Sequence, residues 1–468
     1  MSRSNFGRRV LRLACATTVL GAALNLGGPA GAVAPPQIDP GALGAALALS
    51  GRPAPLEPTE PSALCSEPLL TGSPPSEPPI SQHVLDLPSA WKFSRGAGQK
   101  VAVIDTGVQR HPRLPGLEAG GDYVSGSDGT EDCDGHGTLV AGIIGATPSQ
   151  DDAFVGVAPE AQILSIRQLS LTFEAVNKQG GQAPGEISND GYGSVLTLAA
   201  AVVRAVEMGA TVINISEVAC STAGAGSADA SLGAAVKFAY ERNVVVVAAA
   251  GNVQTDGACK EQNKIPGWSS VSTIASPAWF APYVLTVGSV DADGKASELS
   301  LRGPWVSVAA IGRDIVSLDS KPGGVGLIDG VQTNEGVRPI EGTSFAAPYV
   351  AGLAALVRSR FPELNAQQVM DRITRTAHAP GNGRDDGIGH GLIDPLAALT
   401  AQLPDQPIAR GADVPHPVAA PVLPPGPDPR ARRIAVIGAT VALGGLAIGL
   451  GLAYPFRRKR AALDLDLD

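Results

Sequence analysis

The chain has 468 residues, 35 Lys+Arg against 44 Asp+Glu for a formal charge of −9, and 44% hydrophobic residues. A net negative chain argues against a nucleic-acid partner, because affinity for a phosphate backbone needs a basic face. This apolar content rules out disorder throughout, and the prolines mark the flanks: 12 of the 39 lie in residues 35–80 and 9 in residues 401–433.

In chain order, Arg3, Arg8, Arg9 and Arg12 precede an apolar run from Leu13 to Leu24, with Ala30-Gly31-Ala32 after it. That is the pattern of a signal peptide over 1–32, and the run is too short to span a bilayer. Residues 33–90 are Pro-rich and short of apolar periodicity, so they read as an extended segment. Residues 91–400 alternate strand and helix. Val101–Ile104, Ile163–Ile166, Thr211–Ser216, Asn243–Ala250 and Tyr283–Gly288 read as strands; Thr138–Ala146, Ser194–Met208 and Ser231–Tyr240 read as helices. Repeated βαβ order with continuous apolar strands predicts a parallel sheet covered on both faces by helices. A Pro-rich linker over 401–433 leads to Ile434–Tyr454, 21 residues without a charge. As a helix they measure about 31 Å, the thickness of a hydrocarbon core. Arg457, Arg458, Lys459 and Arg460 follow, so the positive-inside rule keeps residues 455–468 in the cytoplasm and the body of the protein outside. Of the five cysteines, Cys15 leaves with the signal peptide. Cys65, Cys133, Cys220 and Cys259 remain in an exported protein, which predicts two disulfides out of three possible pairings.

Ligands and catalytic groups of parallel sheets gather at the carboxyl ends of the strands. Asp105 closes Val-Ala-Val-Ile and suits metal binding, phosphoryl transfer, helix capping or catalysis. His136 stands in Asp-Gly-His-Gly-Thr ahead of a helix. Asn252 ends a run of valines and alanines through Gly251, as a turn former or an amide donor. Ser344, in Gly-Thr-Ser-Phe-Ala-Ala-Pro, opens a helix as a cap or a nucleophile, since the helix N-terminus can stabilise an oxyanion.

The four together, in this order, resemble the subtilisin-like serine proteases, whose chain order is Asp, His, Ser. The resemblance covers roughly residues 90–400. It implies a three-layer α/β fold with a mostly parallel sheet between helices, a triad of Asp105, His136 and Ser344, an oxyanion donor in Asn252, and protein substrates. Neither a metal nor an organic cofactor is implied. It further implies two substrate-clamping edges, Gly191-Tyr192-Gly193 and Ile215-Ser216-Glu217. Glu217 departs from the small or apolar residue usual there, and reads equally as a specificity residue or a solvated charge.

A closer resemblance is to the mycosins, membrane-anchored subtilisin-like proteases of type VII secretion. It is carried by Cys133 ahead of Gly135-His136, the run Asn214 to Cys220, the Pro-rich extension with Cys65, and the terminal apolar helix. It implies a place beside the secretion membrane complex, processing of one or few of its proteins or a scaffold role there, and the pairs Cys65–Cys133 and Cys220–Cys259. Loops leaving neighbouring strands after Asn214 and Asn252 agree with the second pair. By chain entropy each link stabilises by about 4 kcal/mol, less any strain. The acidic side chains Glu118, Asp122, Asp128, Glu131, Asp132 and Asp134 before His136 are expected to solvate a loop or to favour basic substrate segments. With this pairing, Cys133→Ser leaves Cys65 open to alkylation in the unreduced protein; a protected Cys65 in that variant overturns the pairing.

Overall fold

The computed structural model describes residues 33–177, 191–224, 228–254, 259–334, 336–406 and 437–449. Seven strands form the central sheet: β1 Lys100–Asp105, β2 Glu118–Asp122, β3 Gln162–Arg167, β4 Val212–Ile215, β5 Val245–Ala249, β6 Val284–Val290 and β7 Val306–Ile311. Their spatial order is β7-β6-β5-β4-β1-β3-β2, and every pairing is parallel. The five strands expected from sequence are among them. β2 and β7 were not expected. β2 reads Glu-Ala-Gly-Gly-Asp and carries no apolar run, so only its pairing to β3 makes it a strand.

Side chains alternate across a strand, so residue parity decides which layer each one joins. Val101, Val103, Val212, Val245, Val247, Leu285, Val287 and Val308 pack with helices α1 (His136–Gly145) and α4 (Thr343–Arg360). Ala102, Ile104, Leu164, Ile166, Ile213, Ile215, Val246 and Ala248 pack on the other face with α2 (Val195–Glu207) and α3 (Ala230–Glu241). Burial on both faces explains why these strands are apolar throughout rather than alternating. Helix α2 starts at a capping box, in which Ser194 Oγ accepts the Thr197 N–H, and ends before Gly209 at φ +81°.

The N-terminal extension is not wholly extended. Pro40–Ala42 and Leu43–Ser50 are helical, and Ala46, Ile38, Leu43 and Leu49 join the core under α2 and α3. Alanine and leucine supply helix propensity there, while the apolar contact comes from the neighbouring helices rather than from a regular periodicity. Beyond it the chain runs along the catalytic domain. Thr59–Pro61 pairs with Phe173–Ala175, and Glu67–Leu69 pairs with Gly330–Gln332. Disulfides join Cys65 to Cys133 and Cys220 to Cys259.

The expected signal peptide, most of the linker and the tail lie outside the described residues. Of the span expected over 434–454, residues 437–449 are described, as helix; among the described residues no helix is long and apolar enough to cross a membrane.

Candidate active site

The site lies at the carboxyl edge of β1, β4 and β5. Asp105 is the last residue of β1, and its parity with Val101 and Val103 aims it at the layer of α1 and α4. It is fully buried, and its Oδ1 accepts the Thr106 N–H at 2.8 Å. His136 is the first residue of α1, and its Nδ1 lies 2.7 Å from Asp105 Oδ1. A carboxylate only accepts, so the proton of the neutral imidazole sits on Nδ1 and Nε2 is left basic. Phe345, one residue past Ser344, stacks its ring 4.9 Å from the imidazole at a tilt of 51°.

A second buried carboxylate builds the turn that carries His136. Asp132 Oδ2 accepts from the Thr138 N–H and hydroxyl, at 2.8 and 2.6 Å, and its Oδ1 accepts from the Gly135 N–H and the Thr106 hydroxyl, both at 2.8 Å. Thr106 Oγ1 in turn accepts the Gly137 N–H at 2.9 Å. One carboxylate thus satisfies orphan donors at the start of α1 and ties them to the residue after Asp105. Burial pushes its pKa up to about 6, against the pull of these hydrogen bonds.

The acidic segment before His136 divides: Asp128 and Glu131 are exposed, as the solvated-loop reading expects, while the others turn inward. Asp122 accepts from Ser125, Ser127 and the Val124 N–H beside Arg167; Asp134 accepts from Ser170 Oγ and the Leu171 N–H; Glu118 pairs with Lys100 at 2.7 Å. These carboxylates serve as internal acceptors for a loop that has too few main-chain partners of its own.

Ser344 is the second residue of α4 and is buried. Its Oγ makes no hydrogen bond to His136 in this structure; the two segments meet through the Phe345 ring. Apo enzymes often hold this contact long and tighten it around substrate. Two details fix the serine. Pro348 lies inside α4, and having no N–H it cannot bond the carbonyl four residues back, that of Ser344. Ser216 Oγ supplies the missing donor at 2.7 Å, and itself accepts from Asn214 Nδ2 at 2.9 Å. Asn214 and Ser216 share the parity of Val212, so β4 turns both toward α4.

Asn252 follows β5. Its Oδ1 accepts from the Thr343 N–H at 2.9 Å and the Thr343 hydroxyl at 3.0 Å, which orients the amide so that Nδ2 faces away from Thr343. Gly342 has φ +149°, and a Cβ there would sit 3.0 Å from Ser344 Oγ and 3.2 Å from Asn252 Nδ2. The missing side chain leaves room for a small group between a hydroxyl and an amide donor. Thr343, Ser216, Asp132 and Phe345 complete the site. Sequence reading had assigned none of them these contacts, although the proline four residues after Ser344 was a visible signal.

Of the two expected edges, Tyr192 exchanges both main-chain hydrogen bonds with Ser170, so alternation directs the N–H and C=O groups of Gly191 and Gly193 to the opposite side. The Tyr192 hydroxyl accepts from the Leu56 and Glu57 N–H groups, which brings the N-terminal extension to the back of this edge. Ile215 is buried against α2 and α3. Glu217 is not a solvated charge: its side chain is 24% exposed, and Oε1 lies 3.5 Å from His136 Nδ1. Asp105, His136 and Glu217 each bring a ligand-type atom within 4.8 Å of the others, so these are the residues that could hold a cation.

The pattern of the subtilase family, the S8 peptidases, matches residues 96–391, and the chain belongs to that family: it is a subtilisin-like serine endopeptidase. Within it the chain is a mycosin. It is 47% identical to Mycosin-4 of Mycobacterium tuberculosis over 97% of both chains. Among solved structures, the MycP3 protease from the type VII (ESX-3) secretion system matches with a TM-score of 0.72 and 45% identity, covering 79% of this chain and 100% of that one. A chain in an intact ESX-5 inner membrane complex matches with a TM-score of 0.73 and 41% identity, covering 90% and 100%.

The bond from Ser216 to the Ser344 carbonyl gives a double-mutant test. Ser216→Ala leaves a buried carbonyl unpaired and is expected to cost about 1–3 kcal/mol in urea unfolding. Pro348→Ala restores the N–H, so Ser216→Ala/Pro348→Ala should lose less than the two single changes combined. Simple additivity would show that Ser216 does not stand in for the missing N–H.

Proposed function

We propose that this mycosin is an extracytoplasmic, membrane-anchored endopeptidase that cleaves one or few proteins of a type VII secretion pathway with Asp105, His136 and Ser344 as its triad. The observation that carries the triad is the 2.7 Å contact between His136 Nδ1 and the buried Asp105, set beside a helix whose second residue is Ser344. Ser344 Oγ attacks the scissile carbonyl while His136 Nε2 takes its proton and later delivers it to the leaving amine. Asp105 holds the tautomer and stabilises the imidazolium. The oxyanion forms in the space kept open at Gly342 beside Asn252 Nδ2, with the Ser344 N–H, a first-turn donor of α4, as the second donor. Gly191, Gly193 and the Ile215–Glu217 segment clamp the substrate as added strand edges.

The organisation supports a fixed position rather than a free hydrolase. In this reading a signal peptide over 1–32, a retained extension over 33–90, the catalytic domain over 91–400, a linker over 401–433, a membrane helix over 434–454 and a cytoplasmic tail over 455–468 keep the site outside the membrane and tethered to it. The extension is pinned by the Cys65–Cys133 disulfide and by two strand pairings, so its excision would uncover core and unpair strands. N-terminal sequencing of the mature protein should begin near residue 33; a start near residue 90 overturns this.

The structural match to a chain of the ESX-5 inner membrane complex favours a second role, as a scaffold that stabilises such a complex whether or not it cuts. Complementing a deletion strain with Ser344→Ala separates the two. Loss of secretion supports catalysis, and full rescue assigns the requirement to the scaffold. In parallel, the wild-type ectodomain should cut a peptide library by mass spectrometry and Ser344→Ala should not.

A further inference from the structure

The strand that leads into the nucleophile has an open edge. Gly336–Pro339 pairs antiparallel with Gly330–Thr333, which pairs on its far side with Glu67–Leu69 of the extension. Gly336–Pro339 is therefore an outer strand of a three-stranded sheet, and among the described residues no strand pairs with its other edge. Such an edge is a row of main-chain donors and acceptors that templates another extended chain. Pro339 lies five residues before Ser344. Between them the Ile340 carbonyl accepts the Ile315 N–H and the Gly342 N–H donates to the Gly312 carbonyl, so alternation turns the N–H and C=O of Glu341 to the opposite side. Val337, Arg338 and Pro339 are exposed. The cations of the adjoining segments are taken, Arg313 by Glu341 at 2.7 Å and Lys321 by Glu67 at 3.2 Å. Arg338 makes no ion pair and no side-chain hydrogen bond among the described residues. We infer that this edge binds the leaving-group half of the substrate: residues four to six beyond the scissile bond add as a fourth strand beside Gly336–Pro339, and Arg338 selects an acidic side chain among them.

The inference rests on the proposed protease reading and extends it to the far side of the substrate. A substrate whose scissile carbonyl sits between Ser344 and Gly342 already lies at the end of this edge. The enzyme chain runs toward Ser344 and the leaving half runs away from it, which is the antiparallel direction. Arg338 is six residues before Ser344, at most about 20 Å of extended chain, so a paired substrate brings its fourth to sixth residue past the bond beside it. The edges assigned above to substrate, Gly191–Gly193 and Ile215–Glu217, come from other segments and leave this one unused. Once the scissile bond is seated, pairing further along is intramolecular, so a few weak main-chain bonds suffice. Main-chain pairing carries no sequence preference of its own; the charge of Arg338 supplies one. Charged residues and proline on an edge also serve to block pairing, and that role is the outcome the experiment sets against this one.

Internally quenched peptides built on a site drawn from the library cleavages decide between them, with the full-length protein in detergent. One series carries two residues after the bond and another carries eight. The longer is expected to have a kcat/KM about tenfold higher, the worth of one or two net main-chain hydrogen bonds. N-methylation of residues four to six deletes substrate N–H groups without altering the enzyme, and should return the long peptide to the level of the short one. With an acidic residue in that stretch the wild type should outpace the matched basic peptide by about fivefold, the upper range for an exposed pair. Arg338→Glu should reverse that order and leave the short peptide unchanged, and the preference should shrink as salt is raised. Long and short peptides cut alike, or an acidic-to-basic ratio that Arg338→Glu leaves unmoved, overturn the inference, leave the protease reading intact and assign Arg338 and Pro339 to guarding the edge. A wild type that cuts neither peptide overturns the protease reading and the inference together.

Discussion

The arrangement depends on one constraint, the parity of residues at the ends of parallel strands. In a sheet buried on both faces, alternate side chains must enter opposite layers. Asp105, Asn214 and Ser216 all fall on the parity that faces α1 and α4. Those two helices begin with the candidate base and nucleophile, so the buried carboxylate, the imidazole and the serine converge without any long loop having to carry them. A shift of one residue in the end of β1 would turn Asp105 toward α2 and dismantle the site while leaving the sheet intact.

Around that frame the protein handles the polar cost of burying so much main chain near a cleft. Each helix N-terminus presents N–H groups without partners, and a proline inside α4 adds an orphan carbonyl. The answers are specific: Asp132 collects the donors at the start of α1, Asn252 takes the Thr343 donors at the start of α4, and Ser216 meets the carbonyl that Pro348 abandons. Each of these side chains also fixes a group placed in the chemistry. Local satisfaction of hydrogen bonds and preorganisation of the site are here the same set of contacts.

The N-terminal extension belongs to the same picture. Cys65 fastens to Cys133, three residues before His136, and the extension backs the Tyr192 edge through Leu56 and Glu57. The cleft is thus bordered by a segment from outside the sheet, joined to the His136 loop by a disulfide and to the Tyr192 edge by hydrogen bonds.

The sequence alone determined the parallel sheet, because valine runs too apolar for a half-exposed strand alternate with small, apolar helices. It determined the four polar positions, Asp105 and Asn252 at strand ends and His136 and Ser344 at helix starts, because each borders an apolar run with glycine within two residues of it. It did not show β2, whose Gly-Gly core is a strand only through its pairing with β3, nor the helix Leu43–Ser50, which takes its partners from residues about 150 positions away. Glu217 was the ambiguous residue. Its sequence context suited a surface charge as well as a site, since what distinguishes them is whether another group lies within reach. Only the tertiary structure decided that, by bringing β4 and α1 together so that a carboxylate at one strand end faces an imidazole at the start of a helix. Periodicity records which face a residue occupies; the identity of its neighbour across the cleft is a non-local fact that no window of sequence contains.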